Sequence, residues 1–290
     1  MQKSLSNDIR VRLQSMNNLQ TQPAVIAKIT QMLQNPATNA DELGQAIRTD
    51  QVLASTVLKL VNSPFYGFPG KIGSVSHAVV LLGFSTVKNI VLTASVLEIF
   101  KMDAGSAKFE AQEFRKHSLA CAVSAQCLAQ AIGYGNKDEC FVAGLVHDIG
   151  KLILFQLAPE DFMRVVDFAD KTKSLFYDAE CKLLGINHQE AGGMLVEQWR
   201  LPPDILRAVS SHHNPTADSS GSQLTAIVHC ADIFARAMGY GSGGDNKVPI
   251  INDNAWNSLK LDSVDLVRLF DNIDKEWQKA NSYFQLAGAA

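Results

Sequence analysis

Apolar positions recur along this chain mostly at spacings of three and four residues, the period of an α-helix. In PAVIAKITQMLQ (23–34), Val25, Ile26, Ile29, Met32 and Leu33 fall on one stripe, and Pro23 stands where a helix can begin. NADELGQAIR opens with Asn39 and carries Glu42 three residues on, the pattern of a capping box. VLASTVLKLVN continues the helical trend until the turn-rich NSPFYGFPGKIGS. VSHAVVLLGFSTVKNIVLTASVLEIF (75–100) reads as two helices around Gly83. Its Val, Ile and Thr would suit a strand, but no period-two alternation persists. KMDAGSAKFE (101–110) is polar and small, the candidate domain boundary.

Beyond it, helical patterns run at about 111–132, 137–157, 160–172, 176–184, 188–199, 203–213 and 222–239. GYGSGGDNKVP (239–249) has the composition of a mobile loop. Its GGD resembles a fragment of a cyclase signature without the surrounding pattern, and it carries no weight. SVDLVRLFDNIDKEWQKA closes the chain as a further helix, and no internal repeat is evident. The expected class is all-α. The expected organisation is an N-terminal helical part (1–110), a helical domain carrying the chemistry (111–240), and a loop with a helical extension (241–290).

Composition narrows the function classes. Of 290 residues, 47% are hydrophobic and 19% charged, which is enough apolar material for a substantial core. A net charge of -3 gives no pull toward nucleic acid or anionic membrane, and no basic run supplies a local one. The five cysteines contain no C-x-x-C pair, which removes zinc-finger and thioredoxin readings. The N-terminus lacks the apolar core of a signal peptide, and no uninterrupted apolar run reaches membrane-spanning length. The expectation is a cytoplasmic protein that binds neither nucleic acid nor membrane.

The chemistry concentrates in FVAGLVHDIGKLIL (141–154), where His147, Asp148 and Lys151 interrupt an otherwise apolar helical run. At 100° per residue these three share an arc of about 100° with Gly144, which would let another group approach the backbone closely. Buried ionisable groups are costly unless paired or bound to metal. A simple Asp148–Lys151 ion pair would explain part of the pattern. The remaining histidines widen it. His117 lies early in a helix of small residues, and His188 follows Asn187, a cap with Glu190 three residues on. His212 and His213 are adjacent before Asn214–Pro215, where imidazoles also suit a helix C-terminus. Asp232 stands in the apolar TAIVHCADIFARAM, where metal or His229 could partner it. Imidazole and carboxylate donors suit Fe, Mn, Zn or Ni, and two ions sharing a carboxylate could activate water against a phosphate ester.

This H…HD…H…HH…D series resembles the HD superfamily of metal-dependent phosphohydrolases. LVHDIGKLIL, INHQEAGGMLVEQWRLPPDILRAVSSHHNP and IVHCADIFA resemble the C-terminal half of the HDOD family in order and spacing. QPAVIAKITQMLQNP, ELGQAIRTDQVLASTVLKLVNSPFYG and KIGSVSHAVVLLGF resemble its N-terminal half, so the likeness covers roughly residues 20–240. It implies an all-helical bundle of HD type behind an N-terminal helical subdomain, in a bacterial signal-transduction protein. It implies His117, His147, Asp148 and Asp232 as ligands of one metal. Asp148 would bridge to a second, held by His188, His212 and His213. Lys151 matches a phosphate-contacting lysine of the related HD-GYP phosphodiesterases, although HHNPTADSSG replaces the segment that carries G-Y-P there. Two functions stay open. One is a binuclear phosphohydrolase or phosphodiesterase acting on a phosphate ester or nucleotide. The other is a catalytically silent module that binds a signalling protein, with the site holding metal only structurally or not at all, as in relatives that have lost part of the metal set. His77 and the Phe65/Tyr66 pair are expected to pack rather than ligate.

Overall fold

The computed structural model describes residues 2–15, 28–32, 35, 37–63, 71–100, 109–217 and 222–286, and no strand occurs among them. The N-terminal part contains α1 (Gln2–Ser15), α2 (Ala40–Arg48), α3 (Gln51–Val61) and α4 (Val75–Phe100). The central part continues with α5 (Ala111–Ala131), α6 (Lys137–Val146), α7 (Ile149–Leu157), α8 (Pro159–Thr172) and α9 (Phe176–Leu183). Then come α10 (His188–Gln198), α11 (Pro203–Ser211), α12 (Gln223–Ala237), α13 (Asp253–Ser258) and α14 (Leu266–Leu286). The all-α class is therefore observed. Val25, Ile26 and Leu33 of the first expected stripe, the Phe65/Tyr66 pair and most of the 101–110 boundary lie outside the described residues.

Local signals act as the sequence suggests. Asn39 Oδ1 accepts from the backbone N–H of Asp41 and Glu42, and Glu42 Oε2 accepts from the N–H of Asn39, completing the capping box. Gly83 leaves helical geometry at φ 80°, ψ 163°, which divides α4 where two helices were expected. His77 is exposed on α4 and belongs to neither of the candidate metal groups.

Small side chains decide the centre. Buried Ser118, Ala120, Cys121, Ala122, Ser124 and Ala125 give α5 a thin profile, and α6, α12 and α14 pack around it. Gly144 lets α6 press onto it: a Cβ there would lie 2.8 Å from both Ala122 Cα and the Cys121 carbonyl oxygen. The close approach foreseen for Gly144 is thus helix against helix. On the outer side Tyr240 stacks on Trp277 of α14 at 4.1 Å, and its hydroxyl donates to Asp274. Two segments, Val75–Leu97 and Lys137–Leu157, are long and apolar enough to cross a membrane, but 56% and 83% of their apolar windows are buried inside the protein. The second is simply the core.

That core segment corrects the reading of 137–157 as one helix. α6 ends at Val146, His147 and Asp148 form a turn, and α7 begins at Ile149. Asp148 takes φ -100°, ψ 8°, and its carbonyl accepts from the Lys151 N–H at 2.9 Å, one residue tighter than an α-helical bond. Apolar side chains are buried on both sides of the turn, so their periodicity carries no sign of it. Gly150 then brings α7 against α10, where a Cβ would meet the His188 carbonyl oxygen at 2.0 Å and Gly192 N at 2.6 Å.

α1 makes its contacts far along the chain, on α10 and α7. Arg10 pairs with Glu190 at 2.5 Å and donates to the Gly185 carbonyl, while Gln198 donates to the carbonyl of Leu13.

Gly150→Ala is expected to lower the unfolding free energy by about 3 kcal/mol, because the added methyl meets backbone rather than movable side chain. Gly135→Ala, with nothing within 4 Å of the new Cβ, should stay within about 0.5 kcal/mol of wild type. Urea midpoints of the two variants measure the difference.

Candidate metal centre

Each predicted donor arrives from a different place in the bundle. α5 supplies His117, the α6–α7 turn supplies His147 and Asp148, and the first residue of α10 is His188. His212 and His213 follow the end of α11, and Asp232 comes from α12. Their side chains meet in the interior. His117, His147, Asp148, His188 and His212 are fully buried, Asp232 nearly so, and His213 is half-buried.

The separations have the scale of a coordination shell. His188 Nε2 lies 2.9 Å from His213 Nε2, 3.4 Å from His212 Nε2 and 3.1 Å from Asp148 Oδ1. Nearby, His117 Nε2 lies 3.0 Å from Asp232 Oδ1, and His147 Nε2 lies 3.3 Å from Asp148 Oδ2. A tetrahedron with arms of about 2.1 Å has edges of about 3.4 Å. His188, His212, His213 and Asp148 form one such group, and His117, His147 and Asp148 another.

Hydrogen bonds on the outer nitrogens explain why the inner ones face each other. His147 Nδ1 bonds the Gly144 carbonyl at 2.7 Å, His212 Nδ1 the Val209 carbonyl at 3.0 Å, and His188 Nδ1 the Glu180 carboxylate at 2.5 Å. The carbonyls can only accept. Burial holds the Glu180 carboxyl well above its ordinary range, but its Oε2 already accepts from the His188 backbone N–H. The proton is thus assigned to Nδ1, and the Nε2 lone pair turns inward. Lone pairs of His188 and His212 thus oppose one another at 3.4 Å, an arrangement that a shared cation makes favourable. Nε2 of His117 and His147 and Oδ1 of Asp148 make no properly directed hydrogen bond at all. Orphaned donors of this kind in an apolar interior fit a metal ion.

The electrostatics agree. Burial pushes His188, His212, His213 and His117 below the ordinary imidazole range, so they stand neutral, as ligands must. Burial alone would raise Asp148 and Asp232. His147, Lys151 and His188 outweigh it at Asp148, and Arg236 and His117 do so at Asp232, holding both well below the usual carboxylate range. His147 is held above its ordinary value by Asp148 despite its burial, so a proton on Nε2 is the alternative to a metal there. Lys151 is fully buried with Nζ 2.5 Å from Asp148 Oδ2 and 5.4 Å from the Phe176 ring centroid.

Several residues of this site escape a reading of the sequence. Glu180, buried in α9, fixes His188 from eight positions away. Gln189, with its amide oriented to suit, accepts from the backbone N–H of Ser211, His212 and His213 and so holds the turn of the His pair. Arg236, not His229, is the near partner of Asp232, at 2.8 Å. His229 is spent on backbone, its Nδ1 bonding the His212 carbonyl and its Nε2 accepting from Asn252 N–H. Only Arg236 had a usable signal, its i+4 spacing from Asp232.

An all-α bundle with buried histidines and aspartates turned toward a common centre defines the class: a helical protein built around a candidate metal site. The HDOD domain model matches residues 19–215, and the chain belongs to that family. Its fold is similar to that of an HDOD domain protein with unknown function from Geobacter sulfurreducens. That likeness has a TM-score of 0.72 and 26% identity, covering 94% of this chain and 98% of the other. A Shewanella amazonensis protein provisionally named a phosphohydrolase shares the fold at TM-score 0.72 and 21% identity, covering 95% of this chain and 97% of the other. An uncharacterised protein of Treponema pallidum (strain Nichols) is 22% identical over 222 residues, 74% of this chain. The chain spans 42% of the length of that curated relative.

Arg236→Met should destabilise the protein by about 3–5 kcal/mol, since it leaves Asp232 and Asp245 buried without their cation. Urea unfolding of the chelator-treated protein measures this.

Proposed function

We propose that this HDOD chain is a metal-dependent phosphohydrolase or phosphodiesterase module of bacterial signal transduction, with a phosphate ester or nucleotide as substrate. The observation that carries the reading is Lys151, a fully buried ammonium placed on the carboxylate that both donor groups share. A metal scaffold alone has no need of that charge. A phosphoryl group gathering negative charge in the transition state does. His117, His147, Asp148 and Asp232 would hold one divalent transition metal, of the Fe, Mn, Zn or Ni type, and His188, His212 and His213 with Asp148 another. Such ions supply an activated water and neutralise phosphate oxygens.

The chain's own groups do the rest. Asp148 turns Oδ1 toward one donor group and Oδ2 toward the other, and the Lys151 ammonium fixes Oδ2. Glu180 keeps His188 in the tautomer that offers Nε2. The apolar surroundings exclude bulk water and so strengthen every charge interaction. Tyr177 lies against His213, the half-buried member, at 5.1 Å between ring centroids, and this edge is the side from which a substrate would come. The fold shared with a protein provisionally named a phosphohydrolase supports the same reading.

A second reading has an observation of its own. His117, His147, Asp148, His188, His212 and Lys151 have no solvent exposure, as expected of a module that holds metal for shape and presents its surface to a signalling protein.

Metal analysis of purified protein, with His147→Ala and Asp232→Ala beside it, decides first; no bound metal under varied supply overturns the enzyme reading and leaves a module whose His/Asp cluster is a metal-free polar core. Phosphomonoesters, nucleotides and cyclic dinucleotides are then screened, and activity lost in both variants supports the enzyme. Metal without turnover of any of them supports the silent module. In the active enzyme, Lys151→Met should lower kcat by about 10²–10³-fold while the metal content is kept. Glu180→Gln should weaken metal binding by about 10–100-fold, read by competition with a chelating dye.

A further inference from the structure

The two donor groups differ in one respect that their ligand lists conceal. Around His188, the oxygen turned inward is Asp148 Oδ1, which accepts no properly directed hydrogen bond. Around His117, both inward oxygens are already engaged by cations. Asp148 Oδ2 meets Lys151 Nζ at 2.5 Å, and Asp232 Oδ1 meets Arg236 Nε at 2.8 Å.

Arg236 is held there from both ends. Its side chain is 6% exposed, and its Nη1 pairs with Asp245 Oδ1 at 3.0 Å and donates to the Lys247 carbonyl at 3.3 Å. Asp245 Oδ2 in turn accepts from the Phe176 backbone N–H. The loop carrying Asp245 is pinned to α5 by the Ser242 N–H, which donates to the Glu113 carbonyl at 3.0 Å. At Gly243 a Cβ would lie 2.7 Å from Arg236 Nη2 and 3.3 Å from His117 Nε2, so the loop backbone closes directly over this half of the site. A cavity of about 670 Å³ adjoins the loop, lined by Ser242, Gly244, Asp245 and Lys247 with Glu113 and Lys173.

A guanidinium keeps its charge at any ordinary pH and presents its donors in a rigid fork. A divalent ion reaching Asp232 Oδ1 would share that oxygen with a buried positive charge, in surroundings that screen poorly. We infer that Arg236 is the built-in cation of the His117–Asp232 half, and that a second metal ion binds only when Arg236 and the loop 241–247 withdraw. The loop residues Ser242, Gly244, Asp245 and Lys247 border open space, so the loop is not packed on all sides. The inference rests on the metal reading above and deepens it: the halves bind in order, His188 first.

Mn2+ titrated into the metal-stripped full chain tests this by calorimetry, with retained metal counted after gel filtration. Wild type should bind one ion tightly and a second at least about 100-fold more weakly. Arg236→Gln should bind two ions with affinities within about 10-fold of each other, and Mn2+ should raise its melting temperature more than that of wild type. Asp245→Asn, which frees only the outer end of Arg236, should strengthen the second ion without removing the charge on Asp232's partner. His117→Ala added to Arg236→Gln should remove the second ion and spare the first. Two equal ions in wild type, or wild-type stoichiometry in both Arg236→Gln and Asp245→Asn, would overturn the ordering and leave the metal reading standing. No ion in any of these proteins would remove both.

Discussion

The molecule is organised by opposed lone pairs. Imidazoles whose outer nitrogens are tied to carbonyls or to Glu180 have no freedom to turn their inner nitrogens away from one another. Such an arrangement is unfavourable by itself and becomes favourable around a cation. The packing follows from that demand. α5 must be thin enough for α6 to approach, and α7 must touch the backbone of α10, or the donors on those elements would stand too far apart. The turn at His147–Asp148 serves the same end, because it aims the two carboxylate oxygens of one residue at two different groups.

Much of this was legible in the sequence. The helices, the cap at Asn39, the division at Gly83 and the His/Asp series all declare themselves through local spacing or residue type. What stayed hidden depends on partners far apart in sequence or on side-chain direction. Glu180 looks like a surface residue of a short helix, and nothing nearby in the chain says that it is buried against His188. The break inside 137–157 leaves no trace because a residue buried on every side loses its periodicity. The 239–249 segment shows a third kind of concealment. Its glycines and polar residues suggest mobility, yet Gly241 and Gly243 lie where the backbone approaches α5 and His117 too closely for a side chain.

The site is thus layered. Donors form the centre, and acceptors such as the Gly144 and Val209 carbonyls set their tautomers. Outside them Gln189 holds the turn of the His pair, and Arg236 links Asp232 to Asp245 on the neighbouring loop. Membership of the HDOD family locates the fold, and the inner and middle layers form two donor groups that could hold metal.

The bond between Arg10 and Glu190 has a consequence for how the protein is made. Its two ends are separated by 180 residues. At about 5–20 residues per second, α1 waits roughly 10–40 s after its own synthesis before α10 exists to receive it. Throughout that interval Ile9 and Leu13, buried in the finished protein, have no surface of α10 to cover them. The docking of α1 on α10 therefore cannot precede the synthesis of residues 188–198, however early α1 itself is made.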